Sequence, residues 1–401
     1  MSRRTGGLGL AAAALLAAGM ARALPAAAGA PTTPAGSRCA GPVTAADPTV
    51  PWAQRRLGSD RAWVLTRGGP TVVAVVDTGV SAKAPALAGV VAPGADVLAG
   101  GRADTDCSGH GTFVTGLLAA RPSPGRGLAG VAPGVRVLPI RVTNNPGEVD
   151  PGKLAAGIRA AVDGSARVIA VPVSTATAPP ALRAAVARAV RRDVLVVATA
   201  EPAAGLRSGP ATAPPVAYPA ALPGVLAVAP IGPDGRAGTD TPLGAQPALA
   251  APGSDLTSIS TAGTGTITAN GRGLAVAFVA GAAALVRSYR PGLTAAQVQR
   301  RLEATADHPS NRLPHPALGY GVVDPTAAVT TALPEESGDP VPQPDRAPIR
   351  VPVQAAPDRA PARIALVAAG MLAATAGLGA VLAATLARGR RRRWRPATRR
   401  S

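Results

Sequence analysis

Five short apolar runs, alternating with alanine-rich stretches, constrain this chain more than any other feature. TVVAVVDTGV (71–80) is apolar on both faces rather than alternating, and VRVLPIRV (135–142), RVIAVPVS (167–174), VLVVATA (194–200) and GVLAVAPI (224–231) are further runs rich in apolar, β-branched residues. That is the pattern of strands covered on both sides. GTFVTGLLAA (111–120), KLAAGIRAAVDGSA (153–166), PALRAAVARAVRRD (180–193), LAVAFVAGAAALVRSY (274–289) and TAAQVQRRLEATA (294–306) carry helical spacing. Strand–helix alternation with doubly buried strands predicts an α/β fold with a mainly parallel sheet between helical layers. Aromatic residues are only 2% of the chain against 47% hydrophobic, so the core must be built from Ala, Val and Leu.

The two ends address the chain. Residues 1–28 carry Arg3 and Arg4, then an apolar run, then small residues, the order of a secretory signal peptide. Residues 364–386 are uncharged and long enough as a helix to cross a bilayer of roughly 30 Å. The basic tail, 387–401, is expected to stay cytoplasmic. Residues 334–363 are rich in proline and poor in large apolar side chains, and read as an extended tether. An extracytoplasmic domain over 33–333 remains, held to the cell membrane by a single pass.

The formal net charge of +19 first suggests nucleic acid. Eight arginines fall in the last stretch from Arg388, and no basic-aromatic stripe occurs elsewhere, so no nucleic-acid partner is expected. Cys39 and Cys107 are the two cysteines of an exported domain, and a disulfide is expected between them. No motif calls for a cofactor, and no clustered acidic loop calls for a metal.

Asp77 ends the first apolar run, at the edge of the sheet where α/β sites form. Its DTG context also fits an aspartic protease, which needs a second such carboxylate. The nearest candidate, Asp240 in GTDTPLG, lacks that context. His110 stands between two glycines in DCSGHGTFVTG, directly before a helix and 33 residues after Asp77. Asp and His in this order are two parts of an Asp-His-Ser triad, in which the carboxylate orients the imidazole and the imidazole takes the nucleophile's proton.

With VVAVVDTGV, DCSGHGTFVTG, LAGVAPGVRVLPIRV (128–142), YPAALPGVLAVAPIGPDGR (218–236), LAAPG (249–253) and ALGYGVVDPTAAV (317–329) taken together, the chain resembles the mycosins. These are membrane-anchored, subtilisin-like serine proteases of the S8 family that accompany type VII secretion systems. The resemblance covers about residues 39–333 and implies a subtilisin-like three-layer fold plus one C-terminal transmembrane helix. It also implies a partner, the extracytoplasmic face of a type VII secretion membrane complex.

Two departures fall on the chemistry. The family's G-T-S-x-A-A-P-x-V-A-G segment aligns without a gap on Gly271–Gly281, which puts Gly273 at the nucleophile and Arg272 at the preceding threonine. The family's oxyanion asparagine falls on Pro202, which has neither a side-chain amide nor an N–H, and Glu201 stands where the family has glycine. In subtilisin, loss of the nucleophile costs about 10⁶ in kcat, and loss of the oxyanion amide about 10²–10³. Ser258, Ser260, Thr264, Thr266 and Thr268 are hydroxyls of an upstream loop, and a substitute must lie within about 3 Å of the histidine. A serine placed at 273 would bring a hydroxyl to the helix start beside His110.

The sequence therefore predicts a catalytically impaired pseudoprotease that works by binding. The alternatives are an endopeptidase with a non-standard nucleophile and a peptide-binding module that uses the vestigial cleft. Pro172, which cannot donate to a strand ladder, weakens recognition by strand addition.

Overall fold

The computed structural model describes residues 39–202, 215–237, 243–310, 312–336 and 360–391. The signal-peptide region 1–28, Asp240, most of the tether and the last ten residues lie outside the described residues. The chain divides into two compact units, Met1–Leu333 and Pro334–Ser401.

In the first unit, β1 (Val72–Asp77), β2 (Ala95–Asp96), β3 (Arg136–Arg141), β4 (Val168–Val171), β5 (Leu195–Thr199), β6 (Val225–Ile231) and β7 (Leu249–Pro252) form one sheet. Its order is β2-β3-β1-β4-β5-β6-β7, and every pairing is parallel. All of β4, β5 and β7 is buried, as expected of strands with helices on both faces.

One face carries α3 (Pro151–Asp163) and α4 (Pro180–Arg191), with Leu154, Ile158, Leu182 and Val186 packed on Ile169 and Val196. The other carries α2 (His110–Ala119) and α5 (Val276–Tyr289), with Phe113, Leu118, Phe278 and Leu285 packed on Val73 and Val197. Residues 276–287 of α5 are buried throughout, so its small residues are needed for close packing. At Gly281 a Cβ would lie 2.7 Å from the Val131 side chain. Helices α6 (Ala295–Ala304) and α7 (Pro325–Thr330) close the unit near α5, α6 behind a Thr294–Gln297 capping box.

Sequence periodicity misses α1 (Trp52–Leu57), β7, α7 and the antiparallel pair β8 (Leu256–Ile259) and β9 (Thr266–Ala269). Ser258, Thr266 and Thr268 thus lie in a hairpin and not in a loop. Its alternation is hidden because a serine, the wholly buried Ser258, fills an inward position.

In the second unit, α8 runs from Ala360 to Arg391, and its segment Ala365–Arg391 is long and apolar enough to cross a membrane. The helix continues past the uncharged stretch because arginines are good helix formers and suit a helix C-terminus.

Candidate functional site

The strand order turns at β1 and β4, so the carboxyl ends of neighbouring strands open a crevice there. Asp77 is the last residue of β1, Pro172 follows β4, and Glu201 lies two residues beyond β5. The chain entering α5 passes against the same place and brings Arg272 and Gly273 to it.

Asp77 is wholly buried, and His110 Nδ1–H donates to its Oδ2 at 2.8 Å and its Oδ1 at 2.9 Å. The other ring nitrogen, Nε2, lies 3.3 Å from the Arg272 carbonyl. A carbonyl only accepts, so both nitrogens face acceptors, which favours the imidazolium. Burial by itself lowers the His110 pKa. The Asp77 charge and hydrogen bond, the Arg272 carbonyl and the Asp106 charge outweigh it and leave the pKa above the ordinary histidine value.

A raised folded-state pKa contributes stability fully below about pH 6.5, the unfolded value, and that contribution is lost as pH rises through the folded value. NMR titration of the His110 ring should therefore give a midpoint above the ordinary histidine value of about 6.5. Asp77→Asn should bring it down, and an unchanged midpoint in that variant would remove Asp77 as the cause.

Asp106, which sequence reasoning passed over inside DCSGHGT, fixes the entry to α2. Its Oδ1 accepts from Thr78 Oγ1 at 2.9 Å and Gly109 N–H at 2.8 Å, and its Oδ2 from Thr112 N–H at 2.9 Å and Oγ1 at 2.7 Å. Burial pushes its carboxyl above the usual range against these donors, and the Asp77 charge adds to the rise. Four donors on one buried carboxylate hold the turn that aims His110 at Asp77.

At Gly273, where the resemblance places the nucleophile, the backbone itself excludes a side chain. Gly273 has φ +76°, and a Cβ there would lie 1.8 Å from the Pro172 carbonyl oxygen and 2.8 Å from Pro172 Cα. The expectation that a serine at 273 would simply present a hydroxyl to His110 is corrected by this contact. The other hydroxyls are engaged elsewhere: Ser258 Oγ donates to the Phe113 carbonyl at 2.7 Å, and Ser260 Oγ to that of Ala262 at 2.5 Å.

The Gly273 N–H is also committed, donating to Glu201 Oε2 at 2.8 Å. Glu201 is buried beside Thr199, whose Oγ1 lies 3.3 Å from the same oxygen. Burial pushes its carboxyl upward, opposed by the Gly273 N–H, the Arg272 charge and Thr199. Pro202 offers no donor, but its carbonyl accepts from Arg272 Nη1 at 3.3 Å. The sequence carried one sign of Glu201's place: like Asp77, it is a carboxylate just past the end of a doubly buried apolar run.

Cys39 and Cys107 are bonded to each other, which brings the N-terminal arm to this site. Beside His110 the arm's Ala40, Gly41 and Val43 share a cavity of about 420 Å³ with Phe113, Ile267 and Leu274.

The sequence matches the subtilase family profile, Peptidase_S8, over residues 68–322. It is 35% identical over 331 residues to Mycosin-4 of Mycobacterium tuberculosis, covering 73% of this chain and 72% of that protein. To Mycosin-3 of the same organism it is 34% identical over 397 residues, covering 85% of this chain and 84% of that protein. The crystal structure of MycP1 with its N-terminal propeptide removed matches at a TM-score of 0.62 and 32% identity, over 72% of this chain and 99% of that one. The MycP3 protease from the type VII (ESX-3) secretion system matches at a TM-score of 0.61 and 32% identity, over 72% of this chain and 92% of that one. The chain belongs to the subtilase family, as a homologue of the mycosins.

Proposed function

We propose that this protein is a catalytically silent, membrane-tethered mycosin homologue that acts by binding at a type VII secretion system. The carrying observation is position 273, where the backbone conformation and the Pro172 carbonyl leave no room for a side-chain nucleophile. Asp77 and His110 keep the geometry of a general base and its orienting carboxylate, but among the described residues no hydroxyl is bonded to His110 for it to deprotonate. The secretion-system partner comes from relatives described as components of such systems. Length, composition and charge placement support membrane anchoring by α8, with the first unit outside and the arginine-rich end inside.

A fluorophosphonate probe should leave the purified full-length protein unlabelled, and peptide substrates should remain uncut. Stoichiometric labelling of any residue would favour an endopeptidase with a non-standard nucleophile. Pull-down from native membranes should bring secretion-complex components with the protein; their absence would separate silent chemistry from the proposed partner. A second reading, peptide binding, is favoured by the apolar cavity beside His110. The arm and β9 flank that cavity, which would take an apolar side chain of an extended ligand.

A further inference from the structure

Four of the positions at which this chain departs from the family's motifs, 201, 202, 272 and 273, contact one another. Glu201 accepts from Gly273 N–H at 2.8 Å, and Arg272 donates to the Pro202 carbonyl at 3.3 Å. The Arg272 charge also acts on the Glu201 carboxylate. Independent losses in an abandoned site would not be expected to complement one another in this way. A buried N–H without an acceptor is destabilising. In an active protease of this fold, the N–H of the nucleophile residue faces the reacting carbonyl and is one donor to its developing charge. Here the matching donor, on Gly273, has a permanent acceptor supplied from the end of β5. A carboxylate in that place is a charge-assisted acceptor, stronger than a peptide carbonyl, and Arg272 balances its charge nearby.

We propose that Glu201 is a resident ligand of the old oxyanion donor: its carboxylate holds the Gly273 N–H that a bound peptide carbonyl or terminal carboxylate would need, and closes that part of the cleft from within. Ligands are thereby confined to the other side of His110, where the arm-lined cavity remains open. The inference rests on the silent-protease reading only for the absence of a nucleophile. Fluorophosphonate labelling of the wild type would overturn that reading without touching the role of Glu201.

The test uses full-length protein in detergent with Glu201→Ala, Glu201→Gly and Glu201→Gln, the glycine being the family's own residue. Binding of Ac-Ala-Ala-Pro-Leu, as the free acid and as the C-terminal amide, is measured by calorimetry. Glu201→Ala and Glu201→Gly should bind the acid at least tenfold more tightly than wild type. The acid should be preferred over the amide, because Arg272 then lacks its counter-charge. Glu201→Gln should stay near wild type, since its amide oxygen still accepts the Gly273 N–H. Equal binding by wild type and Glu201→Ala, or an equal gain in Glu201→Gln, would overturn the proposal. So would loss of folding in both the alanine and glycine variants, which would make Glu201 a structural support alone.

Discussion

Gly273→Ser is expected to leave the protein without peptidase activity and to lower its stability by about 2–5 kcal/mol. Two costs add. A non-glycine residue in left-handed conformation costs about 1–2 kcal/mol, and Gly273 sits at φ +76°. Forcing an extra carbon into packed structure costs about 1–3 kcal/mol, and this carbon would meet the Pro172 carbonyl at 1.8 Å. Both costs arise at Cβ, so Gly273→Ala should lose as much as Gly273→Ser in urea denaturation, while both stay inactive. A much smaller loss for serine would mean that the hydroxyl has found a favourable partner after a backbone shift. Adding Arg272→Thr and Pro202→Asn should not rescue activity while Glu201 remains on the Gly273 N–H. Turnover in Gly273→Ser alone would show that β4 and the α5 entry can part, and would return the site to the active-protease class.

Removing the disulfide should be the most costly change outside the site. Cys39 and Cys107 are separated by 68 positions. Closing a loop of that length is worth about 4 kcal/mol in the chain-entropy picture, an upper guide. The double variant Cys39→Ser, Cys107→Ser should lose up to that amount by denaturant titration under non-reducing conditions. Other contacts also hold the arm. Ala40 N–H donates to the Cys107 carbonyl at 3.1 Å, Gly265 N–H to that of Val43 at 2.7 Å, and Thr261 Oγ1 to that of Ala40 at 3.0 Å. A loss below about 1 kcal/mol would mean these bonds suffice. Because Ala40 and Val43 line the cavity beside His110, release of the arm should also change ligand access there.

The sequence by itself determined the frame. Runs such as VVAVV (72–76) and LVVA (195–198) are apolar at every position, which only a strand covered on both faces explains, and they fall in β1 and β5. The spacing in PALRAAVARAVR set the buried face of α4. The order of Asp77, His110 and the α5 segment was legible because each sits where a periodic run begins or ends. The hairpin of β8 and β9 was not, since its buried serine answers to a partner on α2, the Phe113 carbonyl, and not to hydrophobic alternation. Tertiary structure alone decided the fate of the site. Nothing local to Gly273 announces that the Pro172 carbonyl lies against it, nor that a carboxylate 72 positions earlier takes its N–H. Periodicity reports which face of a segment leaves water. It carries no record of which distant backbone atom that face will meet, and here that meeting is what removes the space for a side chain at position 273.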